Sequence, residues 1–150
     1  MVKVTFQDKR DAFTETLWAT PVESNLYRLD NSPFFAYEVS WMDTVEAGPG
    51  GNGALEFVRC VKKSGNRTVR IIFQQYKSTD REAEVVLQRL RDLGCTYEGM
   101  PPKLISINVP SQVHLGDVTD FLKRQNGLQW EYADPTYDQI AGAVNESKRE

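Results

Sequence analysis

The hydrophobic pattern of the chain changes its period near residue 79. Before this position, short apolar or alternating stretches of four to eight residues are typical of β-strands. They cover residues 26–29, 34–39, 43–47, 55–62 and 67–73. The glycine-rich run Gly48–Gly53 predicts a loop, because four glycines and a proline oppose any regular element. Ser64–Asn66 predicts a tight turn that joins the last two strands into a hairpin.

A helical period begins after residue 79. Thr79 and Glu82 have the spacing of a capping box, and Gly94 has the position of a helix end. Between them, apolar residues recur at the spacing of one helix face. These are Ala83, Val86, Leu87, Leu90 and Leu93. The pattern predicts a helix over residues 80–93.

The rest of the chain alternates between short strands and helices. Residues 95–99 predict an extended piece, 103–109 a strand, 116–124 a helix and 128–132 a last strand. Asp134 and Pro135 have the positions of a cap and a first residue for a terminal helix. The tail 145–150 has no apolar residue and is expected to fray.

The order of these elements indicates an α+β fold. Residues 1–76 predict a β-rich lobe, either a small barrel or a curled sheet. Residues 67–133 predict a ferredoxin-like βαββαβ unit packed against that lobe. Residues 134–150 hold the terminal helix and the tail. Strand 67–73 falls in both parts, which favours one integrated unit over two free domains.

Composition places the chain among globular proteins of the cytoplasm. It has 150 residues, of which 40% are hydrophobic and 26% charged, and its net charge is −3. The first residues are charged and lack the apolar run of a signal peptide. No stretch approaches the roughly 18 apolar residues of a membrane span. We therefore expect a cytoplasmic protein with no membrane partner.

Charge is distributed unevenly along the chain. Residues 11–56 contain eight acidic residues and one basic residue, whereas residues 57–103 contain ten basic and five acidic residues. An acidic lobe can steer a basic partner and reject nucleic acid. Neighbouring strands can equally pair such charges within one fold. The sequence leaves these two alternatives open.

No arrangement of residues predicts catalysis, a metal or a cofactor. The single histidine, His114, and the two cysteines, Cys60 and Cys95, do not make a zinc site. The glycine-rich run lacks the lysine and hydroxyl residue of a phosphate loop. We expect a protein that is not an enzyme. The alternative is a hydrolase whose active site uses acidic residues that are far apart in the sequence, such as Asp30, Asp43 and Glu98.

The run Leu29–Phe35, Leu-Asp-Asn-Ser-Pro-Phe-Phe, is the most specific of several motifs between residues 13 and 134. Through these motifs the chain resembles one bacterial family, numbered 4265 among domains of unknown function. Where the family usually has Gly-Asp-x-Val, this chain has Met42–Val45, Met-Asp-Thr-Val. The other matching segments are Glu15–Ala19, Ser64–Arg70, Leu93–Cys95, Glu98–Gly99, Val109–Pro110 and Trp130–Tyr132.

The resemblance implies no enzymatic activity. Members look like small proteins that accompany polymorphic toxins, so the resemblance implies an immunity protein that occludes the active site of a cognate toxin. The partner would then be that toxin or another basic-faced protein. The acidic segment and the aromatic residue at a predicted turn suggest the contact face, with tryptophan as its anchor. The expected contact residues are Asp30, Glu38, Trp41, Asp43 and Glu46.

A nucleic-acid-binding sheet is the competing interpretation. Arg59, Lys63, Arg67 and Arg70 cluster on the predicted hairpin. Strand 67–73 lacks the aromatic residues that stack bases in such sheets, and the chain is acidic overall. Both observations argue against nucleic acid. A regulatory domain and an enzyme of an unrecognised type are further alternatives.

Overall fold

The computed structural model describes residues 1–8, 13–51, 53–74, 80–99 and 104–142. Within this part of the chain, the first five strands close into a barrel and the last four form a second sheet that carries two helices. The predicted α+β class and the N-terminal barrel are confirmed. Residues 75–79, with the predicted cap Thr79, and the tail 145–150 lie outside the described residues.

The barrel is closed by one parallel contact in an otherwise antiparallel set of strands. Successive strands pair antiparallel, and the first strand pairs in parallel with the fifth. Alternate side chains point inward and make a core from residues such as Val4, Leu17 and Leu29. The strands are β1 (Val2–Asp8), β2 (Phe13–Glu23), β3 (Leu26–Leu29), β4 (Thr44–Pro49) and β5 (Leu55–Lys62).

The second sheet is antiparallel, and both helices contribute to the core on one of its faces. Ile71 and Ile107 of the sheet pack with Leu87 and Leu122 of the helices in one apolar cluster. The sheet order is β7-β8-β6-β9. The elements are β6 (Arg67–Phe73), α1 (Asp80–Asp92), β7 (Thr96–Glu98), β8 (Leu104–Val109), α2 (Leu115–Lys123) and β9 (Leu128–Asp134).

The predicted hairpin of strands 55–62 and 67–73 is wrong. β5 pairs with β4 and β1, whereas β6 pairs with β8 and β9 in the other sheet. Strand 67–73 is therefore not shared between the two sheets. The reason is burial: Val69, Ile71 and Phe73 of β6 belong to the core formed with the helices, whereas Leu55, Phe57 and Cys60 of β5 pack against the barrel core. The turn at Gly65 carries the chain from one sheet to the other.

The predicted strand 34–39 is also wrong, although its residues have high β propensity. This segment lies in an irregular loop, residues 30–43, which we call the bridging loop. The backbone N–H groups of Phe34, Phe35 and Ala36 donate to a side chain instead of a strand ladder. Glu38 has a φ of 69°, which interrupts an extended backbone.

The helices follow their predictions more closely than the loops. α1 buries the predicted face from Ala83 to Leu90, but Leu93 falls beyond the helix end and is exposed. The terminal helical turn spans residues 137–142 in the described part. Its cap is Thr136, which exchanges hydrogen bonds with Gln139, and not the predicted Asp134. No helix of the described residues is long and apolar enough to cross a bilayer.

Candidate functional site

The bridging loop is held to the barrel by one buried carboxylate. Glu15 points from β2 and is 8% exposed. Its two oxygens accept hydrogen bonds from the backbone N–H groups of Phe34, Phe35 and Ala36, at 2.6, 3.1 and 3.0 Å. Three donors around one anion make a strong local site for negative charge. This site is filled by the chain itself, so it fixes the loop and is not open to a ligand.

A second carboxylate, from the other sheet, holds the start of the same loop. Glu98 of β7 accepts a hydrogen bond from the Ser32 backbone N–H at 2.8 Å and one from the Asn31 side chain at 3.4 Å. Asn31 in turn accepts from the Trp18 backbone N–H of β2. The loop is thereby tied to both sheets.

An ion network joins the end of the loop to both sheets. The Lys63 ammonium lies 2.6 Å from Asp43 Oδ2 and 2.7 Å from Asp134 Oδ2. Ser40 Oγ contacts Asp134 and also Thr68 of β6, each at 2.6 Å. Burial of Lys63 opposes its charge, but the hydrogen bonds and attraction of Asp134 and Asp43 outweigh this effect and raise the pKa of Lys63.

A buried arginine supports the centre of the loop. Arg70 of β6 is 1% exposed and donates to the Ala36 carbonyl at 2.8 Å and to Glu131 at 2.9 Å. Its guanidinium lies 4.5 Å from the Tyr37 ring centroid. The Tyr37 hydroxyl donates to the second oxygen of Glu131 at 2.9 Å. These contacts fix the positions of Tyr37 and Glu131 on the surface.

Burial raises the pKa of Tyr37, and the hydrogen bond and negative charge of Glu131 raise it further against the opposing effect of Arg70. The Tyr37 hydroxyl therefore stays protonated at neutral pH and donates a hydrogen bond to Glu131. This arrangement leaves one face of the ring open, since Tyr37 is 39% exposed.

Tyr37 and Glu131 form part of a cleft of about 1470 Å³ between the barrel, β9 and the terminal helical turn. Among the residues that the structure describes, four carboxylates line it, from Asp8, Glu38, Glu131 and Asp138, together with the ammonium of Lys123. Seven aromatic residues also line the cleft: Phe6, Phe13, Tyr37, Phe57, Trp130, Tyr132 and Tyr137. A concave surface of this kind, with apolar walls and a few fixed polar groups, is the usual form of a binding site.

The profile of the family described as a domain of unknown function (DUF4265) matches residues 15–132. The chain belongs to the DUF4265 family. A solved structure, described as a novel crystal structure of a hypothetical protein from Neisseria gonorrhoeae, has a TM-score of 0.75 with 20% sequence identity. The alignment covers 91% of this chain and 96% of that one, and this likeness concerns the fold alone. No curated protein matches the chain.

The most specific motif of the DUF4265 resemblance is the beginning of the bridging loop. Leu29 lies in the barrel core, Ser32 and Pro33 are buried, and Phe34 and Phe35 supply N–H groups to Glu15. The motif therefore positions the loop between the two sheets. The Asp43 of the Met-Asp-Thr-Val run anchors the other end of this loop, so the altered residue Met42 leaves the anchor in place.

The five residues predicted as a contact face do not form one surface. Asp43 is fully buried, and its side chain is unavailable to a partner. Replacing it with lysine would put a charge of the wrong sign beside Lys63, so this variant is expected to lose its fold. Glu46 pairs with Arg59 at 2.8 Å. Asp30 and Trp41 are half-buried away from the cleft lining, and only Glu38 belongs to it.

The basic residues of the nucleic-acid interpretation are engaged within the chain. Arg70 is buried, Lys63 pairs with two aspartates and Arg59 pairs with Glu46. Arg67 donates to the carbonyl oxygens of Pro110 and Val113. None of the four is left as a free cation on an exposed sheet face, which removes the residues on which that interpretation depended.

Two of the three carboxylates of the hydrolase interpretation are engaged by other groups of the chain. Asp43 binds Lys63 and Glu98 binds the loop backbone, and neither of them lines the cleft, nor does Asp30. His114 is exposed, with Asp117 at 3.9 Å. Among the described residues, no group of three or more histidine, cysteine, aspartate or glutamate residues could hold a metal ion.

Sequence reasoning missed most of the cleft residues. The pattern predicts only a strand for Glu131 and Tyr132 and only a helix for Tyr137, with no role in a site. The one signal in the sequence was the aromatic content of residues 130–137, which is high for a strand at a sheet edge followed by a short turn. Without the sheet order, that content could not be distinguished from ordinary core residues.

Proposed function

We propose that this protein is a protein-binding module, and that it acts as an immunity protein which neutralises a cognate bacterial toxin by occluding its active site. The observation that carries the proposal is the cleft, whose described lining has seven aromatic side chains and four carboxylates beside one ammonium. It replaces the contact face expected from the sequence and retains Glu38 from it.

The chemistry of the cleft favours a partner segment that is basic and partly apolar. Carboxylates attract a basic partner and speed its encounter, whereas aromatic side chains slow its dissociation once their surface is buried. Tyr37 and Tyr137 are exposed by 39% and 69%, so both can contact a partner without unfolding. A toxin that acts on a nucleotide or nucleic acid has a basic site, which suits an inhibitor of this charge.

We also infer that β6 to β9 with α1 and α2 form a ferredoxin-like unit. Two observations support this finer assignment: the βαββαβ order of the elements and the antiparallel sheet order β7-β8-β6-β9. In this arrangement β9 is an edge strand, and it forms one wall of the cleft.

The test reverses the charge of two cleft side chains and keeps the backbone groups of Glu38, which bind Lys63 and Ala133 at 2.8 Å each. Glu38 and Asp138 are exposed, and neither side chain takes part in the ion network of Lys63. The proposal requires a neighbouring gene that encodes a toxin, and its absence would contradict the proposal. The double variant Glu38→Lys/Asp138→Lys is expected to weaken binding to the purified product of that gene by at least 100-fold. It is also expected to abolish protection of cells that express that toxin. Calorimetry and a survival assay give the two readouts.

The matched control is Glu23→Lys/Glu84→Lys, which makes the same change in net charge at two exposed positions outside the cleft. We expect this variant to bind and protect like the unmodified protein. Equal loss in both variants would indicate a general charge effect, and full protection by the cleft variant would contradict the proposal. Far-UV circular dichroism of each variant establishes that its fold is intact.

A further inference from the structure

β9 is an edge strand whose two faces both contribute to the cleft. Among the described residues, β9 pairs with β6 and with no other strand. Trp130 packs toward the core beneath the helices and lies 5.0 Å from Tyr132, measured between ring centroids. Glu131 points to the opposite face, where it binds Arg70 and Tyr37. Because all three residues line the cleft, the cleft follows the edge of the strand.

The far end of this edge is already engaged by the chain itself. The Ala133 carbonyl accepts a hydrogen bond from the Glu38 backbone N–H at 2.8 Å, and Ala133 also forms a β-bridge with Thr136. The bridging loop and the start of the terminal turn therefore close the strand at residue 133. Before that point, residues 130–132 line the cleft, and residues 128 and 129 continue the same edge of β9.

We infer that the cleft binds its partner by strand addition, with an extended segment that pairs with the edge of β9 at residues 128–132. This inference rests on the function proposed above. A sheet edge presents a row of backbone donors and acceptors that an incoming extended segment can satisfy, and side-chain pockets beside it give selectivity.

The chemistry of the two faces specifies the sequence of the segment. Side chains of an extended segment alternate between faces. The side chains on one face of the segment lie against Glu131 and Glu38, so we expect them to be basic. The side chains on the other face lie against Trp130 and Tyr132, beside Lys123, so we expect them to be apolar. The partner segment is therefore one in which lysine or arginine alternates with valine, isoleucine or an aromatic residue.

The probe is a seven-residue peptide that alternates lysine and valine. Its control has the same composition with the lysines grouped at one end. We expect the alternating peptide to bind at least tenfold more tightly than the grouped one. Two further peptides carry N-methyl groups at alternate backbone positions, one on the odd and one on the even residues. Only one of these sets faces β9, so one N-methylated peptide is expected to lose binding about tenfold or more and the other to bind almost normally.

Hydrogen exchange of the full-length protein locates the added strand. Amides of residues 128–132 are expected to gain protection when the alternating peptide binds, whereas amides of β7, at the other edge, keep their exchange rates. Equal effects of the two N-methylated peptides, or unchanged β9 amides, would overturn strand addition. If the alternating peptide still binds in that case, and Glu38→Lys/Asp138→Lys still abolishes binding of this peptide, the cleft remains the binding site. Only the strand-addition inference then fails.

Two further outcomes would contradict strand addition by a partner segment. Sedimentation of the free protein as a dimer, with residues 128–132 already protected, would show that a second copy of the chain occupies the edge. Equal binding of the alternating and grouped peptides would show attraction by charge alone.

Discussion

Asp43 Oδ2 lies 2.6 Å from the ammonium of Lys63, although the two residues belong to chain segments of opposite charge. Asp43 is fully buried, and its other oxygen accepts a hydrogen bond from the Ser64 backbone N–H at 2.8 Å. Glu46 and Arg59 pair across β4 and β5 of the barrel. These contacts support the alternative in which the acidic and basic segments pair within one fold. The surface that we propose for a partner is instead the cleft.

Removal of the Lys63 charge is expected to destabilise the protein. Lys63→Met would leave the Asp43 and Asp134 carboxylates together without a cation. Loss of one partner from a buried ion pair typically costs about 3–5 kcal/mol. Because the Lys63 side chain is about half exposed, we expect a smaller loss of ~2–3 kcal/mol in the free energy of unfolding. Urea denaturation measures it, with Lys62→Met at the exposed neighbouring position as the control. Equal stability of the two variants would argue against the network.

Glu15→Gln is expected to loosen the bridging loop. The neutral amide keeps the size of the side chain but places an NH₂ group against the N–H donors of Phe34, Phe35 and Ala36. We expect a loss of about 1–3 kcal/mol in the free energy of unfolding and faster hydrogen exchange at these three amides. Glu23→Gln, at an exposed position in the same strand, is expected to change neither quantity. Unchanged exchange at residues 34–36 in the Glu15 variant would contradict the role of this carboxylate.

Gly99 is expected to be intolerant of a side chain. Its φ of +117° lies in the region that favours glycine, and a β-carbon would lie 2.6 Å from the Leu104 carbonyl oxygen. Gly99→Ala is therefore expected to lower the free energy of unfolding by about 2 kcal/mol. Gly48→Ala is the matched control, because no atom lies within 4 Å of an added β-carbon there. A thermal denaturation series that shows the same shift for both variants would contradict this explanation of the Glu98–Gly99 motif.

Stability is expected to fall at alkaline pH. Burial raises the pKa of Cys95 from 9.0 to about 11, and the pKa values of Tyr37 and Lys63 are also raised. Above about pH 9 the unfolded chain releases these protons before the folded chain does. It then binds fewer protons than the native state, and the free energy of unfolding decreases as the pH rises. The stability contributed by Cys95 is thus complete below pH 9 and is lost as the pH passes through about 11.

Urea denaturation at a series of pH values between about 8 and 11 measures this decrease. For the Cys95 contribution alone, we expect a fall of about 2 kcal/mol. In Cys95→Ala the remaining decrease is expected to be smaller, because that group no longer titrates. The raised pKa values of Lys63, Tyr37 and Cys60 contribute to what is left. If the free energy of unfolding of Cys95→Ala falls as steeply with pH as that of the unmodified protein, Cys95 does not cause the pH dependence.

The sequence by itself determined the elements whose burial is local and periodic. α1 is the clearest case, since Ala83 to Leu90 repeat at helical spacing and all face one core. β3, β5, β6 and β8 lie within one residue of their predicted bounds, because alternation or an apolar run reflects the burial of each strand. The α+β class followed from the change of period. The aromatic run at Phe34–Tyr37 misled the prediction because β propensity describes a side chain and not the partner of its backbone.

Only the tertiary structure decided which strands pair and which acids are buried. A turn at Gly65 is compatible with a hairpin, and the choice of two different sheets depends on neighbours such as β8 and β9 that lie far along the chain. Lys63 and Asp134 are 71 residues apart, and Tyr37 and Glu131 are 94 apart. Their contacts create the network and the cleft wall. A residue type and its local spacing carry no information about a partner at such a separation, because the chain path between them sets the distance.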